Sequence, residues 1–415
     1  MKTKYILSFL LLLWLMQAPA LTFQVIALND DVDNNPGDGV CEIPIGFGFC
    51  SLRAAIMEAN ALGGSHTIEL GPNVHELTLL GDDDTAAAGD LDVTTGYITI
   101  IGTGPETVIN ANGNNRIFEV FNGRSLSLSH LTLTGGRAAT ADNNAGGAIK
   151  VNGVGTQLFT DQVIITNNSA NTGGGLFATL GADINIHNTV FVDNFVEDLG
   201  FTNIWGPAIF CSGCEMFITS SLFTGNDNGG KAIQIEQGYM SMTNSTVTNN
   251  EGGGIRTTNG GAKIRFSTLV SESGQNLSHF SFDDSDVVDI QSSILWTPAG
   301  GFIDNCQAGD KPTSTGYNIV SDASCEFSAV GDLEMTDAQL ASLTNNGGFT
   351  DTFLPDVTSA AIDLVPIGAC LSATNDVLEF DQRGAFRPDG GFCDAGAVEL
   401  NLDIIFREGF GHADE

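Results

Sequence analysis

Basic side chains are scarce in this 415-residue chain, with 15 Lys and Arg against 50 Asp and Glu and a formal charge of −35. Nucleic acids and anionic lipid surfaces are held by clustered Lys and Arg, so electrostatic binding to either is excluded. Only four tyrosines occur and charged residues make up 16% of the chain. No apolar run approaches the roughly 20 residues that a membrane-spanning helix needs. What the chain does have is 51 glycines, abundant Asn, Thr and Ser, and 42% hydrophobic residues. That mixture favours turns and strands over helices and is too apolar for a disordered chain.

The first residues have the pattern of an export signal. Lys2 and Lys4 precede an apolar run from Ile6 to Met16, and Ala18-Pro19-Ala20 supplies small residues on either side of a cleavage position. Residues 1–20 are expected to be removed after Ala20, which takes away two lysines and no acid and brings the formal charge to −37. Eight cysteines suit an oxidising compartment. Proximity pairs Cys41 with Cys50, Cys211 with Cys214, Cys306 with Cys325 and Cys370 with Cys393. That is one proposal among the 105 connectivities that eight cysteines allow. Cys211-Ser212-Gly213-Cys214 lacks the βαβ surroundings of a redox CxxC and reads as a turn disulfide.

Two markers recur with the same irregular step. A Gly-rich turn leads into Ile149, Leu176, Ile209, Ile233 and Ile255, and a short alternating strand ends in Asn at Asn168, Asn194, Asn226 and Asn250. Steps of roughly 22 to 33 residues without helical periodicity predict the coils of a parallel β-solenoid. Its inward side chains would stack at the strand spacing of about 4.8 Å. Val163, Val190, Leu222, Val247, Leu269 and Ile294 are expected to form one inward ladder, and the five residues after the Gly-rich turns another. A β-sandwich would instead show two-residue hairpin turns at regular short intervals. Ser51 to Asn60 is the one good helix signal, with Ser51 as N-cap and Leu52, Ala55, Ile56 and Ala59 on one face. It is expected to lie across the open end of the first coil, where unpaired strand edges would otherwise be exposed.

Asp38-Gly39-Val40-Cys41, Cys50-Ser51-Leu52-Arg53-Ala54-Ala55-Ile56 and Glu58-Ala59-Asn60, followed by Gly89-Asp90-Leu91-Asp92, resemble the CSLREA motif and its continuation in exported bacterial right-handed parallel β-helix proteins with a pectin-lyase-like fold. The family's Glu is Ala54 here, so the N-cap lacks the return bond of a capping box. Residues 316–320, 345–350, 381–388 and 393–399 resemble the choice-of-anchor domain that closes such chains. The resemblance implies a secreted, cell-surface or periplasmic protein. It divides the chain into a signal (1–20), an N-terminal cap with the first coils (21–97), β-helix repeats (98–300), a C-terminal domain (301–400) and a tail (401–415). Within that domain Arg383 and Arg387 are expected to pair with Asp381, Asp394 or Glu399.

Two function classes follow. The first is a non-catalytic adhesion module that binds a glycan, a cell surface or extracellular matrix along its extended faces. The alternative is a polysaccharide lyase or glycoside hydrolase. A lyase needs a cation-neutralised carboxylate and a base for the α-proton, for which Arg256, Lys231, Asp193, Asp227 and Glu251 are the candidates. They accompany the outward sequence Lys150, Phe177, Phe210, Gln234 and Arg256. A hydrolase needs two carboxylates at fixed separation, and Asp283, Asp284, Asp286 and Asp289 offer them without a partner motif. The six histidines show no metal-ligand spacing and read as isolated surface or turn residues. The excess of acids makes Ca²⁺ the expected small partner. No three acids recur at one ladder position and no glycosidase motif set is present, so the non-catalytic module is the expected class.

Overall fold

The computed structural model describes residues 20–44, 48–140, 144–198, 200, 205–282, 286–297, 303–307 and 310–400. Almost all of the expected signal, the tail from 401, and Asp283 and Asp284 lie outside the described residues.

Besides a short three-stranded sheet of Arg137–Ala138, Ser169–Ala170 and Phe195–Val196, three strands recur from coil to coil. One belongs to a narrow eight-stranded sheet, represented by Ile149–Asn152, Leu176–Thr179, Ile209–Ser212, Ile233–Glu236, Ile255–Thr258 and Leu277–Phe280. The other two belong to a wide 19-stranded sheet that bends between a first limb and a second limb. The first limb contains Asp183–His187, Glu215–Thr219, Tyr239–Thr243, Gly261–Arg265 and Val288–Gln291. The second contains Val190–Val192, Leu222–Thr224, Thr246–Thr248, Thr268–Val270 and Ile294–Trp296. Successive coils pair in parallel, with Ile149 opposite Leu176, Leu176 opposite Ile209, Ile209 opposite Ile233 and Ile233 opposite Ile255. The chain is a parallel β-helix.

The glycine-marked ladder is therefore the one that the sequence predicts, and all five of its residues are buried. Burying each such side chain contributes about 1.5–3 kcal/mol. The other predicted ladder needs correction. Val190 pairs with Leu222, but Leu222 pairs with Thr246, and Val247 lies opposite Phe223 and Leu269. The inward column is Ile165, Phe191, Phe223, Val247, Leu269 and Leu295, with the Phe191 and Phe223 rings stacked at 5.0 Å. Leu222 and Ile294 face outward and are nonetheless buried. The C-terminal segment covers this limb, with Ala397 N donating to Thr268 Oγ1 and Thr246 Oγ1 to Gln382 Oε1. Hydrophobic type thus could not tell the two faces apart, and a shift of one residue exchanged them.

The bends are held by polar ladders. Between the limbs, Asn188, Ser220, Asn244, Phe266 and Ser292 have φ between 42° and 52°. The hydroxyls that follow bond along the axis, with Ser221 N donating to Ser245 Oγ, Ser245 N to Ser267 Oγ and Ser267 N to Ser293 Oγ. After the second limb, the Asn side chains stack: Asn168 Nδ2 donates to Asn194 Oδ1 at 3.0 Å, Asn194 to Asn226 at 3.1 Å and Asn226 to Asn250 at 3.0 Å. These amides are buried, where an unpaired polar group is costly, and the shared geometry of successive bends pairs them.

Leu52–Leu62 is a helix, with Ser51 Oγ accepting from Ala54 N. Besides the expected apolar face it buries Arg53, whose Nε and Nη2 meet Asp30 while its remaining hydrogens reach the carbonyls of Ala86, Gly89 and Asp90. This helix and its arginine therefore tie the entry strand to the first coils. At the other end Arg383 pairs with Asp381 at 2.7 Å and Arg387 with Glu399 at 3.5 Å, as expected from the sequence. All four cysteine pairs proposed from proximity are disulfides.

Candidate functional site

The register lines up one outward column over eight strands of the narrow sheet: Asp92, Glu119, Lys150, Phe177, Phe210, Gln234, Arg256 and Ser278. Adjacent strands lie about 4.8 Å apart, so the column runs for roughly 34 Å. It has three parts. In its middle, Phe177 and Phe210 stack at 5.6 Å and Trp205 covers Phe210 at 6.0 Å, forming an aromatic platform. The Gly-rich turn passes this platform at Gly230, whose φ of 74° suits glycine and which lies beside Trp205 and Gln234.

Beyond the platform, Gln234 and Ser278 are buried yet Gln234 Oε1 and Ser278 Oγ have no hydrogen-bond partner, and neither do Arg256 Nε and Thr258 Oγ1. Arg256 lies over the Phe280 ring at 4.9 Å. Lys231 is buried and reaches across two coils, donating from Nζ to the Gln275 carbonyl at 2.6 Å and its Oε1 at 3.1 Å. Burial, and then the charge of Arg256, bring its amine down to about 8. The two cationic candidates are therefore neighbours. The three acidic candidates form a second group on the turn entering this sheet. Burial of Asp227, its hydrogen bond and charge interaction with Glu251, and the charge of Asp193 raise the Asp227 carboxyl above its ordinary value. Glu251 Oε2 also accepts from Asn228 N.

The near end of the column holds a cluster that the sequence reading did not identify as a site. Asp90, Asp92 and Glu119 have carboxylate oxygens within 4.8 Å of one another. Asp92 rises to about 8 through burial and then the charge of Asp90, and Asp90 to about 6 through burial, opposed by Arg116. Three carboxylates suit a Ca²⁺ ion in ligand type. However, Arg116 bonds Asp90 at 3.1 Å and also Glu119, and Lys150 bonds Glu119 at 2.8 Å. With Asp92 protonated, the cluster balances its charge within the protein, and Ca²⁺ would have to displace an ion pair. Parallel pairing of Asp92 with Glu119 was the missing link, and it was visible only once the register was known.

On the wide sheet, a groove of about 750 Å³ runs along the first limb between Asp183, Glu215, Tyr239, Lys263 and Asp289, with Asp286 at its rim. Arg265 pairs with Asp289 at 2.7 Å. Asp286 and Asp289 thus belong to a groove wall that also contains a lysine. His66, His75 and His279 depart from the surface expectation, whereas His187 is exposed. His66 and His279 are buried and hydrogen-bonded, His66 to the Gly63 carbonyl and His279 to Thr257 Oγ1. No helix among the described residues is long and apolar enough to cross a membrane.

No family model matches the chain, and no curated protein matches it significantly. The CSLREA and choice-of-anchor resemblance accordingly rests on its motifs alone. Among solved structures, pectate lyase Pel9A aligns over 93% of this chain and 98% of its own at 14% identity, with a TM-score of 0.45. The A-module of Azotobacter vinelandii mannuronan C-5 epimerase AlgE4 aligns over 76% and 96% at 14% identity, with a TM-score of 0.33. The PL6 family alginate lyase AlyGC aligns over 84% and 59% at 12% identity, with a TM-score of 0.25. At these levels the likeness carries no site residue across.

Proposed function

We propose that this protein holds an extended polysaccharide along the outward column of its narrow sheet. The observation that carries the reading is the aromatic platform of Phe177, Phe210 and Trp205 set beside Gln234, Arg256 and Ser278, whose buried or half-buried polar atoms lack partners. Such atoms cost about 1–3 kcal/mol each when left unmade. A sugar ring offers an apolar face for the aromatics and hydroxyls that both donate and accept, so it satisfies both features at once. Arg256, on the same column and in no ion pair among the described residues, favours a polymer bearing carboxylates. Four disulfides suit action in an oxidising, exported setting.

Of the two classes weighed from the sequence, degradation gains more from the geometry than adhesion. Arg256 is a fixed cation on the column, and beside it Lys231 carries an amine near 8, within reach of the role of base. In a lyase reaction the base takes the proton α to a sugar carboxylate, the C–O bond at the β carbon breaks, and an unsaturated end results. No described surface singles out a protein matrix. The test is incubation of the mature protein with uronate-containing and neutral polysaccharides, following binding by affinity electrophoresis and turnover by ultraviolet absorbance and new reducing ends. Binding that Phe210→Ala weakens at least tenfold supports the site, and turnover lost in Arg256→Ala adds catalysis. Binding unchanged in Phe210→Ala and in a Gln234→Ala, Ser278→Ala pair refutes the proposal.

A further inference from the structure

We propose that a second, smaller site, formed where the C-terminal segment crosses the first limb, binds a compact aromatic molecule bearing one hydroxyl group. A cavity of about 320 Å³ lies there, walled by Phe217, Ser241, Asn244, Val377, Leu378 and Phe380. Its size falls at the lower end of the range of small-molecule pockets, and its walls are mainly apolar. A neighbouring space of about 510 Å³ shares His187, Ser220, Phe380 and Asp381 with it and provides the approach.

The chemistry of the occupant follows from which polar atoms are already engaged. Asn244 is 5% exposed, and its Nδ2 donates to the Phe380 carbonyl at 2.7 Å. A carbonyl only accepts, so this bond fixes which end of the amide is nitrogen and leaves Oδ1 as the atom without a partner. Three of the hydroxyls around it are already engaged. Thr243 Oγ1 accepts from Ala373 N at 2.9 Å, Thr219 Oγ1 bonds His187 Nδ1 at 2.8 Å and Thr374 Oγ1 donates to Asp376 at 2.6 Å. A ligand entering between Phe217 and Phe380 therefore meets ring faces, aliphatic side chains, the Ser220 and Ser241 side chains and one buried acceptor without a partner, with the exposed Glu379 carboxylate also in the lining. A sugar would bring several hydroxyls to a cavity whose buried lining has one unpartnered acceptor, Asn244 Oδ1. A ring of phenol size with a single O–H matches what is present, in number and in kind. This site is separate from the polysaccharide column and does not depend on that reading.

The probe is phenol, with toluene as the molecule of the same shape lacking the hydroxyl, titrated into the folded mature chain by calorimetry and ligand-observed NMR. Phenol should bind about three- to tenfold more tightly than toluene, the effect of one net hydrogen bond. Cross-peaks should join the phenol ring protons to the methyls of Val377 and Leu378. Ser241→Leu, which fills the cavity, should abolish binding of both. Equal affinity for phenol and toluene, or binding that Ser241→Leu leaves intact, overturns the proposal. Absence of the cross-peaks at saturating phenol overturns it in the unaltered protein, so the outcome does not hinge on whether the variant folds.

Discussion

Replacing Asp92 by asparagine should flatten the pH dependence of stability between pH 5 and 7. Asp92 is 1% exposed, and its carboxyl is raised from 3.8 to about 8. Over that interval the unfolded chain holds Asp92 ionised while the folded protein keeps it protonated, so folding takes up one proton. A carboxyl raised in this way contributes stability that is complete below its unfolded value and is lost as pH rises towards the folded one. The slope for one proton is about 1.4 kcal/mol per pH unit. Across pH 5 to 7 the wild-type protein should therefore lose about 2.5 kcal/mol that Asp92→Asn keeps. Asparagine can still accept from Ala86 N, the bond that Asp92 Oδ2 makes now, so at pH 7 the variant should be no less stable than wild type. Urea denaturation at several pH values reads the difference directly, because Asp90 and Glu399, raised to about 6 and about 7, titrate in both proteins. Parallel stability curves for the two proteins would refute the assignment of a neutral, buried Asp92.

Asn194→Ala removes the donors to Asn226 Oδ1 and the Ile165 carbonyl and the acceptor for Asn168. It should cost about 2–4 kcal/mol in chemical denaturation, more than a surface substitution by an order of magnitude. Arg53→Met leaves Asp30 as an uncompensated buried charge and should destabilise by about 3–5 kcal/mol, whereas Arg53→Met with Asp30→Asn should recover part of the loss in the same assay. Phe223→Ala opens a space in the inward column beside Phe191 and should cost about 3–5 kcal/mol. Any shift of the melting curve between millimolar Ca²⁺ and chelator should persist in Glu119→Gln, because Arg116 and Lys150 already neutralise Asp90 and Glu119. A rise in Tm with Ca²⁺ that Glu119→Gln abolishes would show that the ion displaces them.

The fold was legible because the chain writes its coils twice, once in glycine and once in asparagine. The glycine marker gave correct register, since a tight turn constrains the residue that follows it and Ile149, Leu176, Ile209, Ile233 and Ile255 are all buried. Hydrophobicity gave the wrong register on the second limb, where Leu222 and Ile294 are as buried as Phe223 and Leu295. Counting back three residues from the ladder asparagines would have found Phe191, Phe223 and Val247, because a stacked amide fixes position and a merely apolar side chain does not. The site was half visible for the same reason. Lys150, Phe177, Phe210, Gln234 and Arg256 follow the glycine marker and were read in order. Asp92 and Glu119 extend the same column, but their strands lack the marker and only pairing brings them together. The unpartnered Asn244 Oδ1 depends on a segment more than 130 residues away, a contact that no local pattern records.

The shortage of basic residues acquires a sharper meaning once they are located. Arg53 binds the N-terminal cap to the first coils, Arg383 and Arg387 lock the C-terminal loops, and Arg265 closes on a groove wall of acids. Arg116 and Lys150 neutralise the carboxylates at one end of the narrow sheet, and Lys231 and Arg256 stand near the other. Asp90 and Glu119 hold Arg116 and Lys150, so among the described residues Arg256 is the cation on the column without a carboxylate partner. Over the roughly 8 Å that charge reaches at physiological salt, the field at the narrow sheet is set by its own side chains more than by the net charge of the molecule. A carboxylated polymer lying along the narrow sheet would meet Arg256 on the same column as the aromatic platform, whereas Lys263 lies in the groove of the wide sheet. The adjacency of Arg256 to these ring faces is the reason we assign a polysaccharide to the narrow sheet and not to the larger groove on the wide one.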